Sequence, residues 1–350
     1  MRKALFCILA AGAFLFASCD KPGGDKPGPG PGPDVPPDVP ELDDHVTPAT
    51  STLLDLLKEK LEEYKGDATV PTNHIFICAH RANTYDAYLN QIPENSIPNI
   101  KKAIELGVDM VELDVRPTSD GQLVLMHDET VNATTDGKAS VSSLTLEQIK
   151  ALKMKARGAS SYYIDNGDYV RVPTLEEALT ACKGKIFVNL DIKGACAPAG
   201  VVRAILNSGT VDQVMIYGVS DTEKKEYIAK GYERCDSWLA VHPYISKPDD
   251  IKNYTAGYYD CAKLFQYSTD TYYTPTLDRF GYACHANGGL SYSNCLSYDS
   301  QLRTWYTNYY KKNLTGTCNV LEKFIASGSD FIQTDMFEIA DAYFKAKGLR

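Results

Sequence analysis

Short apolar runs alternate with helical patterns along most of this 350-residue chain, and this alternation limits the folds it can adopt. The runs are almost continuously apolar, which is typical of parallel strands covered on both faces. We predict strands at residues 75–80, 108–115, 122–127, 185–193, 213–220, 237–243, 263–268 and 330–335. Strands alternating with helices favour an α/β fold, and we expect a TIM-type (β/α)8 barrel with long loop insertions. A doubly wound open sheet is the alternative, but no glycine-rich nucleotide motif follows the first strand.

The first 50 residues differ in composition from the rest of the chain. Arg2 and Lys3 precede a short apolar run, which is too small to cross a bilayer because a spanning helix needs about 20 residues. Residues 1–18 therefore predict a signal peptide. Residues 19–50 are rich in proline and glycine, so we expect an extended tether there. In this interpretation the barrel domain comprises residues 51–350.

The apolar run ends in "LFASCD", which resembles the lipobox of bacterial lipoproteins. This resemblance implies that Cys19 becomes the lipidated first residue of an exported protein. We then expect a lipid anchor in a bacterial membrane, with the domain facing the periplasm or the cell exterior. The alternative is an ordinary secretory signal in which Cys19 has no role.

Charge and cysteine spacing argue against two kinds of ligand. The formal net charge is −9, so the chain has no general electrostatic attraction to nucleic acid, and we expect no nucleic-acid partner. Eight cysteines follow Cys19, and none of them form a CxxC pair. A zinc site built from cysteines is therefore not expected.

Two stretches are longer than ordinary barrel connections. Residues 129–172 form an excursion after the third predicted strand, and we predict a Tyr-rich insertion at about 269–316. Both leave from C-terminal strand ends, where the active sites of barrels lie. We interpret 269–316 as a substrate cap, which a disulfide between Cys284 and Cys295 would staple. The alternative is a surface insertion that only covers helices.

Charged side chains lie at the ends of the first four predicted strands. Side chains alternate along a strand, so two residues spaced two apart share a face. All of these side chains are therefore expected at the C-terminal mouth of the barrel. In strand order they are His80 and Arg81, Glu112 and Asp114, His127, and Asp191 and Lys193.

This set of residue types points to phosphodiester chemistry. Three converging carboxylates repel one another, and a hard divalent cation, Ca²⁺ or Mg²⁺, removes that penalty. Two histidines are suited to act as acid and base on either side of a substrate. Arg81 and Lys193 supply positive charge for an anionic group such as a phosphate.

Ordered motifs over residues 75 to about 340 resemble those of the glycerophosphodiester phosphodiesterases. The matched pieces are His80-Arg81, Pro93-Glu94-Asn95, Glu112-Leu113-Asp114, Asp120-Gly121, His127-Asp128, "TTDGK", "LTLEQIKAL", "VPTLEEAL", "VNLDIK" and "SDFIQTDM". The resemblance implies that His80 and His127 are the catalytic pair and that Glu112, Asp114 and Asp191 bind the metal. Arg81 and Lys193 would hold the phosphate, and Glu94 would support the site. The implied reaction is the metal-dependent hydrolysis of glycerophosphodiesters to glycerol 3-phosphate and an alcohol.

The chain departs from the family pattern at several positions. Ala82 stands where the family usually has glycine, and Asp191 is one methylene shorter than the usual glutamate. The stretch from His80 to Glu94 is a few residues longer than in the family. The sequence "LFQYS" stands where the family has a seventh strand that carries a tryptophan. These differences affect substrate preference more than reaction class.

Two other functions are alternatives to this one. A phospholipase acting on intact phospholipid, similar to sphingomyelinase D or phosphatidylinositol-specific phospholipase C, would use a similar barrel and histidine pair. A surface lipoprotein that binds without catalysis would be expected to lack at least one catalytic position, and every such position is filled in this sequence.

Overall fold

The structure is a computed structural model that describes residues 48–64, 67, 69–217, 241–242, 244–245, 264–267, 280–308 and 316–350. The predicted signal peptide, Cys19 and residues 19–47 of the predicted tether lie outside these ranges. The last three residues of that tether, 48–50, already belong to the first helix. Within the ranges above, no helix combines the length and apolar character that a membrane crossing requires.

Strands and helices alternate as the apolar runs predict. The strands are β1 (Phe76–Ala79), β2 (Met110–Pro117), β3 (Leu123–Leu125), β4 (Ile164–Asp165), β5 (Asp168–Tyr169), β6 (Phe187–Ile192), β7 (Val214–Tyr217), β8 (Val241–His242), β9 (Tyr244–Ile245), β10 (Leu264–Tyr267), β11 (Leu290–Asn294) and β12 (Phe331–Thr334). The helices are α1 (Pro48–Tyr64), α2 (Tyr85–Leu89), α3 (Ile97–Leu106), α4 (Leu146–Ala151), α5 (Leu175–Cys182), α6 (Pro198–Ser208), α7 (Phe280–Ala286), α8 (Asp299–Asn308), α9 (Asn319–Ala326) and α10 (Phe337–Ala346).

The parallel strands form a ring, as the (β/α)8 prediction requires. The order of hydrogen-bonded neighbours runs β8-β7-β6-β2-β1-β12-β11-β10-β9. Strand β8 pairs with β7, whereas β9, which begins two residues after β8 ends, pairs with β10. Two strands that are adjacent in sequence, β8 and β9, thus lie at opposite ends of this order, which is incompatible with an open doubly wound sheet. The fold is a TIM-type barrel.

The prediction that residues 122–127 form a strand of the barrel is wrong. β3 pairs antiparallel with β2, with Val115 opposite Leu125, so it forms a hairpin outside the ring. The cause is the short connection "RPTSDG" (116–121). A parallel neighbour would need a crossover of a dozen residues or more.

The ring position left vacant by β3 is filled by β11, which lies inside the predicted Tyr-rich insertion and pairs parallel with β10 and β12. Its sequence "LSYSN" contains few apolar residues. Ser291 and Ser293 are nevertheless buried, because their hydroxyl groups hydrogen-bond to Asp330 and Ser329. The cap interpretation is therefore wrong for residues 280–308, which supply a barrel strand and its helices; residues 268–279 and 309–315 lie outside the described ranges.

Cysteine packing also differs from one sequence-based expectation. Cys284 and Cys295 are both buried free thiols, so the suggested disulfide between them is not present. Both belong to the main apolar core, which fills the space between the strands and the surrounding helices. Apolar packing of these two cysteines thus attaches residues 280–308 to the barrel.

Strand alternation divides the apolar residues into two layers. Ile75, Ile77 and Ala79 join the core beneath the helices. Phe76 and Cys78 join a second cluster with Phe187 and Phe331, which fills the inside of the barrel at the N-terminal ends of the strands. Because apolar side chains fill that end, the inward-facing polar residues are concentrated at the opposite, C-terminal end.

Candidate active site

Asp114 and Asp191 lie side by side because β2 and β6 are parallel neighbours in matched register. Met110 pairs with Phe187, and the same register brings Glu112 opposite Asn189 and Asp114 opposite Asp191. All of these positions share the inward face, since they are spaced by two. Glu112, Asp114 and Asp191 each offer an oxygen within 4.8 Å of the others'. The predicted acidic triad is therefore a single cluster.

The backbone after β1 turns sharply to bring His80 and Arg81 to this cluster. Arg81 (φ 53°) and Ala82 (φ 61°) are both left-handed, a conformation that is uncommon outside glycine. The turn lets the Arg81 N–H donate to Glu112 Oε2 at 2.9 Å. The Arg81 carbonyl accepts from the Asn95 N–H at 2.9 Å. This strained turn therefore fixes the first strand end to two elements of the site.

Arg81 and Lys193 both form ion pairs with the acids. Arg81 Nη1 lies 2.9 Å from Glu94 Oε1, and its Nε lies 3.4 Å from Asp114 Oδ2. Lys193 Nζ lies 2.8 Å from Asp191 Oδ2 and 3.2 Å from Asp114 Oδ1. The buried Arg81 Nε has no hydrogen-bond partner among the described residues. It is therefore a donor that an anion entering the site could use.

Asn95 supports Asp114 on its other side. Its side-chain amide donates to Asp114 Oδ2 at 2.7 Å, and its Oδ1 accepts the Asp114 backbone N–H at 3.1 Å. Asn95 also has a left-handed backbone, with φ 53°. This reciprocal pair fixes the direction of the Asp114 carboxylate.

Burial and neighbouring charges shift the pKa values of the three clustered carboxyls in different directions. Burial, and then the nearby Asp114 carboxylate, raise the pKa of Glu112 to about 8. Burial also raises the pKa of Asp191, although Lys193 opposes that effect. Burial alone would raise the pKa of Asp114, but Lys193 and Arg81 outweigh it and the pKa is lowered. One carboxyl of the triad is thus held protonated near neutral pH.

Each predicted catalytic histidine is paired with a carboxylate through Nδ1. His80 Nδ1 lies 3.0 Å from Asp335 Oδ1, and His127 Nδ1 lies 2.7 Å from Asp128 Oδ1. Burial lowers the pKa of His80, but Asp335 outweighs that effect and the net pKa is raised. For His127, burial prevails over the attraction of Asp114 and the pKa is lowered. Both rings are therefore held through the same nitrogen, but their pKa values shift in opposite directions.

All eight residues of the predicted catalytic, substrate-binding and metal sets lie in this connected network at the C-terminal end of the barrel. The sequence patterns predict no role for Asp335, Asp299 or Arg157. Asp299 accepts the Asp335 N–H at 2.9 Å, and Arg157 pairs with Glu94 and Asp128. Only Asp335 had a usable signal, because it ends the last predicted strand within the matched motif "SDFIQTDM".

The donor set suits a hard divalent cation. All three clustered groups are carboxylates, which are the ligands preferred by Mg²⁺ and Ca²⁺. Burial, and then the Asp114 carboxylate, raise the pKa of Glu112, and the positive charge of a cation would oppose both effects. The residues present therefore fit such an ion.

Residues 80–224 match the glycerophosphoryl diester phosphodiesterase family. A glycerophosphodiester phosphodiesterase of Caldanaerobacter subterraneus is 36% identical over 159 residues, which cover 42% of this chain and 61% of that protein. The human glycerophosphodiester phosphodiesterase 1 is 39% identical over 127 residues, which cover 35% of each chain. The chain thus spans less than two thirds of the length of these relatives.

Solved structures share the barrel. A glycerophosphodiester phosphodiesterase from Agrobacterium tumefaciens matches with a TM-score of 0.55 at 22% identity, over 77% of this chain and 99% of that one. A glycerophosphoryl diester phosphodiesterase from Parabacteroides distasonis matches with a TM-score of 0.59 at 19% identity, over 83% and 92%. An Oleispira antarctica phosphodiesterase, solved in complex with its product sn-glycerol-3-phosphate, matches with a TM-score of 0.56 at 18% identity, over 77% and 96%. At these identities the likeness concerns the fold alone.

Proposed function

Because this chain belongs, through residues 80–224, to the glycerophosphoryl diester phosphodiesterase family, we propose that it hydrolyses glycerophosphodiesters to glycerol 3-phosphate and an alcohol. One observation carries the proposal most strongly. Two histidines, each paired with a carboxylate through Nδ1, lie in one network with a three-carboxylate cluster. Such a network combines proton transfer with binding of a cation and an anion.

We assign the cation to Glu112, Asp114 and Asp191, as one Ca²⁺ or Mg²⁺ ion. When bound, it supplies positive charge that stabilises the phosphoryl oxygens as negative charge develops on them. Arg81 and Lys193 hold the phosphate, and Glu94 keeps Arg81 in place through its ion pair. Arg81 Nε supports this assignment, because it is a buried donor beside the cluster that makes an ion pair with Asp114 but no hydrogen bond.

His80 and His127 move the protons. Since Nδ1 of each ring is engaged by a carboxylate, Nε2 is the nitrogen that we assign to proton transfer. One histidine takes the proton of the nucleophile as the nucleophile's oxygen bonds to phosphorus. The nucleophile is water, or it is the neighbouring glycerol hydroxyl, in which case water then hydrolyses the resulting cyclic phosphate to glycerol 3-phosphate. The other gives a proton to the leaving alkoxide as its bond to phosphorus breaks. The alcohol product thus leaves neutral.

A substrate panel tests the proposal. The purified domain is assayed on several glycerophosphodiesters and on intact phospholipids, with and without a chelator. We expect hydrolysis of the diesters, loss of activity with the chelator and recovery on adding Mg²⁺ or Ca²⁺. Turnover of intact phospholipids alone would replace this function with the phospholipase alternative. If the protein hydrolyses no member of the panel, the alternative that it binds without catalysis would be favoured.

We also propose that Cys19 carries a lipid and anchors the exported protein to a membrane. The support is the apolar run that ends at "LFASCD" and the Pro/Gly-rich stretch that follows it. Labelling with a radioactive fatty acid, followed by fractionation of wild-type and Cys19→Ser cells, tests this. We expect label and membrane association in wild type only. Unlabelled wild type would contradict the proposal.

A further inference from the structure

Arg157 lies on the long excursion between β3 and α5 and contacts two acids of the site at once. Its Nη2 lies 2.8 Å from Glu94 Oε1 and its Nε 3.2 Å from Glu94 Oε2. On the other side, Nη1 lies 2.9 Å from Asp128 Oδ2 and Nη2 3.2 Å from Asp128 Oδ1. A single guanidinium group is therefore bidentate to both carboxylates.

Each carboxylate leads directly to a residue of the proposed machinery. Asp128 holds Nδ1 of His127, and Glu94 accepts from Nη1 of Arg81 at 2.9 Å. The same Glu94 Oε1 receives both Arg81 and Arg157, and the same Asp128 Oδ1 receives both Arg157 and His127. Arg157 is thus one contact away from a proton-transfer residue and one contact away from a phosphate-binding residue.

The chemistry of this link requires arginine. A guanidinium group is planar and offers five donors in a fixed fork, whereas a lysine ammonium is a point charge that cannot pair in both directions at once. Burial raises the pKa of Asp128, but hydrogen bonds from Arg157 and His127 outweigh it and lower the pKa to about 2. Burial likewise raises the pKa of Glu94, but Arg157 and Arg81 outweigh it and the pKa is lowered. Both carboxylates therefore stay ionised while they orient their partners.

We propose that Arg157 is a positioning residue for the hydrolysis, holding His127 through Asp128 and Arg81 through Glu94. This inference rests on the proposed function and gives the excursion of residues 129–172 a role in it. Arg157 fixes the relative position of the group that transfers a proton and the group that binds the phosphate. It acts through the two carboxylates.

The first test compares Arg157→Ala and Arg157→Lys with Lys155→Ala, a matched control that removes a cation two residues away. We expect kcat on the diester to fall by about 10- to 100-fold in Arg157→Ala, the usual range for loss of an orienting partner. Arg157→Lys should recover only part of this, and Lys155→Ala should match wild type. Circular dichroism spectra and melting temperatures show whether each variant is folded.

A second readout separates positioning from a purely structural role. The charged groups that act on His127 are Asp114, Arg81, Asp128, Lys193 and Asp191. Without Arg157, the Asp128 carboxylate is no longer shared and attracts the protonated His127 ring more strongly. The His127 titration, followed by NMR in the absence of substrate, should therefore move to higher pH in Arg157→Ala, with no shift in Lys155→Ala.

A double-mutant cycle with Asp128→Asn completes the test. If Arg157 acts on His127 through Asp128, adding Arg157→Ala to Asp128→Asn should lower kcat less than it does in wild type. Fully additive losses together with an unmoved His127 titration would overturn the proposal, as would a folded Arg157→Ala variant with wild-type kcat. If the wild-type protein were inactive on the diester, the proposed function would be wrong. The NMR titration would then still test whether Arg157 influences His127.

Discussion

Asp335 Oδ1 lies 3.0 Å from Nδ1 of His80, although the two residues are 255 positions apart in the chain. The contact exists because β12 and β1 are parallel neighbours, with Thr334 in register with Ala79. Asn83 also donates to Asp335 Oδ1 at 3.2 Å, and Asp299 accepts the Asp335 backbone N–H. The last barrel strand thus orients a side chain that follows the first.

Asp335→Asn should weaken the proposed catalysis without unfolding the barrel. Asp335 raises the pKa of His80 against the lowering effect of burial, so the His80 titration in the variant should move to lower pH. We expect kcat to fall by about 10- to 100-fold, as for other orienting carboxylates. NMR titration and steady-state kinetics measure the two effects, and the exposed Asp168→Asn is the control. An unmoved His80 titration would contradict the role given to this pair.

His80→Ala and His127→Ala should each lower turnover by about a hundredfold or more, which is the usual scale for losing a general acid or base. The fold should survive, because apolar packing of the barrel lies at the other end of the strands. His74→Ala is a matched control, since His74 packs on Phe76 at that other end. Kinetics on folded variants provides the check. Near-normal turnover in either variant would remove that histidine from the mechanism.

Cation binding should release a proton near neutral pH. Without a cation the pKa of Glu112 is about 8, because of burial and the Asp114 carboxylate, so this carboxyl is mostly protonated at pH 7. A bound ion requires the ionised form. Affinity for Mg²⁺ or Ca²⁺ should therefore rise with pH and level off above about 8. Calorimetry in buffers of different ionisation enthalpy measures the proton, and an apparent enthalpy independent of buffer at pH 7 would contradict this linkage.

Asp191 should accept glutamate better than alanine. Asp191 lies beside Asp114 and pairs with Lys193, so Asp191→Ala removes a cation ligand and leaves the Lys193 ammonium with one partner fewer. Asp191→Glu keeps the carboxylate and restores the residue usual in the family. We expect wild type and Asp191→Glu to bind the cation more tightly than Asp191→Ala does, as measured by calorimetry. Equal affinity in Asp191→Ala and wild type would exclude Asp191 as a ligand.

Ala82→Gly should cost little stability, although Ala82 is fully buried. Its left-handed backbone, with φ 61°, is strained for alanine by roughly 1–2 kcal/mol, and glycine relieves that strain. The relief offsets the lost methyl contact and the greater freedom of glycine in the unfolded chain. Urea denaturation should show a change within about 1 kcal/mol. Ala103→Gly, in the interior of α3, is the control and should lose about 1 kcal/mol or more; equal losses in both variants would contradict the strain argument.

Local patterning alone determined much of the site. Glu112 and Asp114 share a face because they are two apart on a strand, and the same holds for Asp191 and Lys193. Most of the strands and the helices between them also follow from apolar periodicity. These features depend on neighbouring residues in the chain, so the sequence is sufficient to predict them.

Tertiary structure decided what depends on residues distant in sequence. The polar sequence of β11 does not predict a buried strand. Its serines are buried because they hydrogen-bond to Ser329 and Asp330, and its backbone pairs with β10 and β12. Asp335 meets His80 only when the ring closes, and Arg157 reaches Glu94 across 63 positions of sequence. The sequence contains each of these residues, but hydrogen bonding and ion pairing between distant segments form only after packing brings the segments together.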